Sequence, residues 1–288
     1  EELQKYVKPN TKCVFAETLV NPSVAVLDFD KFSALAHSNG IPLIIDNTFA
    51  TPVNCRPFEF GADIVTHSTT KYMDGHGVGV GGAIVDSGNF DWMAHAEKFP
   101  GLTTPDESYH GITYAEKFGK GAFITKATAQ LMRDFGSIQS PQNAFYLNLG
   151  LESLHVRMQR HCENAYKVAR FLKGHEKVAW VKYPGLEDDP YYELARKYMP
   201  NGTSGVMCFG IKGSREDTEK FMDSLELIDI ETHVADAHSC LLHPASHTHR
   251  QLTDEQLREA GVAPDLIRLS VGIENADDLI ADLENALR

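Results

Sequence analysis

The chain has 288 residues, 42% hydrophobic and 23% charged, enough for one large domain or two ordinary ones, and is neither disordered nor fibrous in composition. Forty acidic against 27 basic residues leave a formal charge of −13, which argues against nucleic acid or an anionic membrane as partner, because both need clustered positive charge. No apolar run approaches the ~18 residues that span a bilayer, and Glu1-Glu2-Leu3-Gln4-Lys5 does not read as a signal peptide.

Taken in order, residues 12–17 are the first strand candidate. Residues 30–39 follow as a helix with Phe32, Leu35 and Ala36 on one face and Asn39-Gly40 as its stop. The continuous apolar run 43–46 predicts a buried strand; residues 56–60 are helical, and 63–67 and 82–85 complete four strands. Strands alternating with helical connections predict β-α-β units and a mostly parallel sheet. Residues 91–125, rich in Gly and Pro, read as loop. The helical pattern at 141–173 predicts a broken or bent helix joining two domains, with Gly150 as the break. Beyond it, strands at 178–183, 205–211, 239–242 and 267–271 and helices at 190–199, 215–227 and 276–287 predict a smaller α+β domain. The expected division is 1–140 and 141–288. Five cysteines without a C-x-x-C pair read as reduced, mostly packed thiols, and place the chain in the cytoplasm.

The chemistry concentrates between residues 43 and 82. One predicted strand ends in Asp46-Asn47-Thr48 and the next in Ser68-Thr69-Thr70-Lys71. Ligands of open α/β sheets bind beyond the carboxyl ends of the strands, so a carboxylate, hydroxyls and an amine should converge on one crevice. Pyridoxal phosphate (PLP) would use this set: a lysine for its aldehyde, a carboxylate for its ring nitrogen, and hydroxyls for its phosphate. The glycines at 75, 77, 79, 81 and 82 precede a strand and open no helix, so they are not a dinucleotide fingerprint; they would let backbone pass close to Lys71 or form a turn.

Glu17-Thr18-Leu19-Val20-Asn21-Pro22, Asp46-Asn47-Thr48-Phe49-Ala50-Thr51-Pro52 and Ser68-Thr69-Thr70-Lys71-Tyr72 resemble the signature segments of the cysteine/methionine-metabolism family of PLP enzymes, and the resemblance runs from about residue 11 to the C-terminus. It implies the aspartate-aminotransferase-like fold, fold type I. It also implies that Lys71 is the Schiff-base lysine, that Asp46 partners the pyridine nitrogen, that Ser68 and Thr70 hold the phosphate, and that Asn21 sits near the phenolic oxygen. Leu242-His243-Pro244-Ala245-Ser246 and Arg268-Leu269-Ser270-Val271-Gly272-Ile273-Glu274 resemble two further family segments, which would give Arg268 the substrate carboxylate and Ser246 a supporting contact.

Residues 99–123, 131–136, 140–145, 152–154 and 157–165 resemble the O-acetylhomoserine sulfhydrylase branch, implying replacement of the acetoxy group of O-acetyl-L-homoserine by sulfide or a thiol to give homocysteine or methionine. The alternatives are methionine γ-lyase and cystathionine γ-synthase or γ-lyase chemistry. Family members carry a segment ahead of the point where this chain starts, which supplies a phosphate loop, a stacking tyrosine and neighbouring-subunit contacts. The N-terminal part of the large domain is therefore expected to be missing, a competent form is expected to be a homodimer or tetramer, and a different-class alternative is an incompetent fragment acting only within an assembly. A rival for the C-terminal stretch is a metal site built from His233, His238, His243, His247 and His249; no Cys or carboxylate joins them at a familiar zinc spacing, so no metal is expected.

Overall fold

In the computed structural model, which describes residues 2–248, 250–259 and 262–288, the first part of the chain builds a four-stranded sheet in the order β1-β2-β3-β4. β1 (Val14–Glu17), β2 (Leu43–Asp46) and β3 (Ile64–Ser68) run parallel, and β4 (Gly82–Asp86) is antiparallel to β3. The register pairs Glu17 with Asp46 and Asp46 with Thr66, so the carboxyl ends of the three parallel strands lie side by side. Helix Phe29–Ser38 joins β1 to β2. Asp28 caps it by accepting the Lys31 N–H, and Gly40, at φ +62°, follows its end. Its Phe29 is buried against Phe60 and Tyr198.

Residues 91–125 are not the loop the Gly and Pro content predicts. They form a chain of short helical turns, among them Met93–Lys98, Pro100–Thr103, Tyr114–Phe118 and Ala122–Lys126. Pro starts turns here and Gly separates them, while Trp92, Leu102, Tyr114 and Ala122 pack with Ile64 of β3 into a small core of their own. Packing outweighed punctuation.

Helix Pro141–Gly174 runs unbroken for 34 residues, starting on a Ser140 cap that accepts the Asn143 N–H and with Pro at the first position. Gly150 is not the break the sequence suggested. A Cβ at that position would overlap the carbonyl oxygens of Met73 and Asp74, so the glycine lets the helix press against the turn that follows Lys71. Gly150→Ala should therefore destabilise, although Ala is normally favoured inside a helix by ~1 kcal/mol. Overpacking against backbone costs about 1–3 kcal/mol, and a lower denaturant midpoint is the expected result; an unchanged or raised midpoint would show the contact to be slack.

The second sheet has five strands, Val178–Lys182 (β5), Val206–Ile211 (β6), Asp229–Ile230 (β7), Cys240–Leu242 (β8) and Ile267–Ser270 (β9), in the order β5-β6-β9-β8-β7. Only β7 and β8 are parallel. The helix beginning at Arg215 stops at Asp223, earlier than its apolar pattern predicts. The Asp282 carboxylate explains the stop: it accepts the N–H groups of Glu226, Leu227 and Ile228 and turns the chain into β7. Met207, Phe209, Ile267 and Leu269 face the long helix and helix Ala276–Leu287, packing on Val168, Leu172 and Leu283. Strand alternation then sends Cys208 and Arg268 to the opposite face, toward the carboxyl ends of the first sheet. Among the described residues no helix is long and apolar enough to cross a membrane.

Candidate active site

The three parallel strands deliver their last residues to one cavity of about 160 Å³, lined by Glu17, Leu19, Asn21, Asp46, Thr48, Phe49, Ser68, Lys71 and Val234. Local bonds fix its rim. Thr48 Oγ1 accepts the Ser68 N–H at 2.8 Å, tying the end of β2 to the end of β3. Buried Asn47 accepts from Thr18 Oγ1 at 2.7 Å and donates to Cys55 O at 3.0 Å, so the residue after Asp46 cannot turn. Asp46 Oδ1 accepts the Thr48 N–H at 2.9 Å, and its Oδ2 has no hydrogen-bond partner among the described residues. Burial pushes the neighbouring Glu17 carboxyl above its ordinary range; the Asn21 N–H at 2.8 Å works against this and the Asp46 charge adds to it.

Lys71 projects from a turn clamped by the long helix. Arg157, itself buried, donates to Tyr72 O at 2.8 Å, to Met73 O at 3.4 Å and to Gly150 O at 2.7 Å. Tyr72 is fully buried and its hydroxyl accepts the Gly205 N–H at 2.9 Å. Burial lowers the Lys71 pKa below that of a free lysine, and the Arg268 guanidinium lowers it further. The amine is thus biased toward its neutral, nucleophilic form. Its Nζ stands 3.2 Å from His233 Nδ1.

Arg268 enters from the second sheet. It donates to Asn21 Oδ1 at 3.2 Å and to the carbonyls of Thr232 at 3.1 Å and His233 at 3.0 Å, while its buried Nε has no partner. An incompletely paired guanidinium beside the cavity is a ready carboxylate site. The thiols of Cys208 and Cys240 flank it, each pushed up to about 12 by burial, so they are neutral packing groups.

The structure thus brings Asn21, Asp46, Ser68, Lys71 and Arg268 together. It does not bring Thr70 or Ser246 to the cavity wall. Thr70 Oγ1 donates to Gly81 O at 3.3 Å and accepts the Gly81 N–H at 3.1 Å. Ser246 Oγ lies 2.9 Å from His243 Nδ1 and donates to Glu219 at 2.6 Å. Among the described residues no group of three or more His, Cys, Asp or Glu could hold a metal ion. His233 faces Lys71 and His243 faces Ser246; His249 lies outside the described residues. Of the glycines after Lys71, Gly75 and Gly77 have positive φ, +73° and +64°, and make room for Arg157 and Asp236.

The reading of the sequence passed over Arg157, Tyr72, Glu17 and Asp236. Glu17 heads a quoted signature segment and could have been found there. Arg157 and Asp236 carry no local signal, because their partners are remote in the chain.

Behind Tyr72, its ring centroid 4.7 Å away, lies fully buried His161, whose Nδ1–H donates to Val271 O at 2.8 Å. Burial depresses its pKa to about 4. The unfolded chain, with an ordinary histidine pKa of ~6.5, binds the proton first as pH falls. This stability is complete above about pH 6.5 and lost toward about pH 4, on the order of 3 kcal/mol. His161→Asn should flatten that part of the stability-versus-pH curve, and an unchanged slope would contradict the assignment.

The set fits PLP on this structure's own terms. Asp46 keeps one carboxylate oxygen unpaired, Ser68 lines the same cavity, and Lys71 there is held below its usual basicity. An α/β enzyme working on a carbonyl cofactor through a lysine is the class these features define. Comparison with known proteins agrees. The sequence profile of the Cys/Met metabolism PLP-dependent enzymes matches residues 1–288, and the chain belongs to that family. It is 45% identical to homocysteine synthase of Schizosaccharomyces pombe, covering 99% of this chain and 67% of that one. It is 46% identical to O-acetyl-L-homoserine sulfhydrylase of Leptospira meyeri, covering 100% and 67%. A crystal structure from Campylobacter jejuni, described as a candidate O-acetylhomoserine (thiol)-lyase and carrying a pyridoxyl-lysine phosphate, superposes with a TM-score of 0.93 at 38% identity, covering 99% of this chain and 68% of that one. The fold is therefore that of the fold type I PLP enzymes, and the chain spans about two thirds of the length of these relatives.

Proposed function

We propose that this chain carries the lysine-bearing part of an enzyme that replaces the acetoxy group of O-acetyl-L-homoserine with sulfide or a thiol, releasing acetate and giving homocysteine or methionine. The observation that carries the reading is the convergence of Lys71 and Asp46 on one cavity, with Arg268 bonded to Asn21 of its wall. The names of its relatives support the substrate. When bound, PLP supplies an electron-withdrawing ring that makes the substrate's α-proton acidic. Asp46 would hold the proton on the ring nitrogen. Ser68 Oγ would hold the phosphate, and Thr70 Oγ1 would join it in place of its bonds to Gly81. Lys71 would hold the cofactor by its carbonyl carbon, and its amine would move protons at the substrate's Cα and Cβ. Arg268 would receive the α-carboxylate, and Asn21, bonded to it, would sit near the ring's phenolic oxygen. Ser246, engaged with Glu219, has no part in this reading.

The division at residue 140, where the Ser140 cap starts the long helix, is kept as the domain boundary. The site works in the cytoplasm, in an assembly of two or four copies; the exposed side chains of Val80, Phe135, Ile138 and Phe145 support an assembly.

Production of homocysteine from O-acetyl-L-homoserine and sulfide by the PLP-supplied chain tests the reaction. Acetate release without a thioether or thiol product would favour a γ-lyase instead. Arg268→Lys should harm catalysis although charge is kept. Lysine loses the planar fork, a loss of about 1.5–3 kcal/mol for a charge-assisted contact. An unchanged kcat/KM for O-acetyl-L-homoserine would remove Arg268 from the carboxylate site.

A further inference from the structure

Behind Lys71 stands a group of residues the scheme above does not use. His233 Nδ1 is 3.2 Å from Lys71 Nζ, and on the far side of the ring Nε2 lies 3.3 Å from Asp236 Oδ2, at ion-pair distance though not aligned as a hydrogen bond. Carboxylate, imidazole and amine stand in succession. The segment is built to hold it. Arg268 and the Cys240 thiol both donate to His233 O, at 3.0 and 3.5 Å. The Ala237 N–H donates to Gly75 O at 2.9 Å, fastening this loop to the turn that carries Lys71. Between His233 and Asp236, fully buried Ala235 adopts φ +63°, a conformation L residues disfavour, with its N–H on Ser270 Oγ at 2.8 Å. A side chain at Gly77 would meet Asp236 Oδ2 at 2.8 Å, so that glycine keeps the carboxylate in place.

We propose that His233, oriented by Asp236, is the proton acceptor for Lys71, taking a proton from Nζ when the amine must act as a nucleophile and returning it when the lysine must act as an acid. In the forward step the Nζ–H bond breaks and leaves its electron pair on Nζ. An Nδ1–H bond forms from the imidazole lone pair, and the positive charge moves to a ring that Asp236 faces. The surrounding charges balance this transfer. Arg268 on β9 opposes an ammonium at Lys71 and Asp236 favours one; the Cys240 thiol on β8 is neutral, and Asp46 and Glu17 look in from β2 and β1. Arg157 on the long helix faces Asp236 from behind. The inference rests on Lys71 being the reactive amine.

The test uses the full chain without cofactor and follows reductive methylation of Lys71 by formaldehyde and cyanoborohydride across pH, with the other lysines as internal reference. A neutral imidazole accepting from the ammonium favours the charged form. His233→Phe should therefore speed labelling near neutral pH by about threefold or more, as should Asp236→Asn. The double variant should exceed neither single one by much, because the two residues act as one chain. His233→Gln keeps an acceptor but cannot titrate. It should label like the wild type, yet lower kcat of the PLP-loaded enzyme by about tenfold or more with little change in KM. Superimposable labelling profiles for the wild type and His233→Phe, or a wild-type kcat in His233→Gln, would overturn the proposal. If His233→Phe does not fold, the Gln variant decides alone. Should PLP and borohydride modify a lysine other than Lys71, the reading of the site fails, while the labelling profile still reports whether Nζ and the imidazole are coupled.

Discussion

Lys71→Ala should leave a folded protein that no longer retains PLP covalently, with turnover lowered by at least roughly 10²–10⁴-fold, the range in which a single acid–base group acts. The loss should be chemical rather than structural. The turn is held by Arg157 through the carbonyls of Tyr72 and Met73 and by the Tyr72 hydroxyl on Gly205, none of which involves the lysine side chain. The Lys71 amine touches His233 alone through a hydrogen bond among the described residues. Circular dichroism and the denaturation midpoint should therefore stay close to wild type while absorbance from bound cofactor is lost. A variant that keeps both the absorbance and the turnover would remove Lys71 from the chemistry.

The second large effect is expected at Asp46. Asn can keep the bond to the Thr48 N–H through its carbonyl oxygen, so the end of β2 should hold its shape. What disappears is the charge proposed to keep a proton on the cofactor's ring nitrogen. Losing one preorganised electrostatic contact in a site costs roughly 10²–10³-fold in kcat, and Asp46→Asn should fall in that range with little change in PLP retention. Glu17 supplies a second readout. Part of its elevated carboxyl pKa comes from the Asp46 charge, so Asp46→Asn should shift the Glu17 titration downward. Near-normal turnover in this variant would sink the electron-sink role.

How far the site was legible follows from where its residues sit. Asp46, Ser68 and Lys71 close strands or the turn after one, and a strand's carboxyl end is readable from an apolar run that stops at polar residues. Asn21 and Arg268 were legible only through family-like segments, and the bond joining them spans the two sheets. Thr70 needs the structure as well: its place beside Lys71 reads as a ligand position, but nothing in the sequence announces that its hydroxyl is bonded to Gly81 off the cavity wall. Gly150 shows another. A glycine in a helix reads as a weak point, yet here its missing Cβ admits backbone from a turn far away in the chain. Arg157, His233 and Asp236 earn their roles only from tertiary contacts, which periodicity and spacing do not encode.

Every role proposed for the site depends on one lysine, Lys71, as the residue that would hold the cofactor. The direct measurement is to saturate the 288-residue chain with PLP, reduce with borohydride, digest, and locate the pyridoxyl group by peptide mass spectrometry. The account predicts one modified site, on the peptide containing Ser68-Thr69-Thr70-Lys71, and its loss in Lys71→Ala. A reduced adduct on any other lysine, at comparable or higher yield, would contradict it.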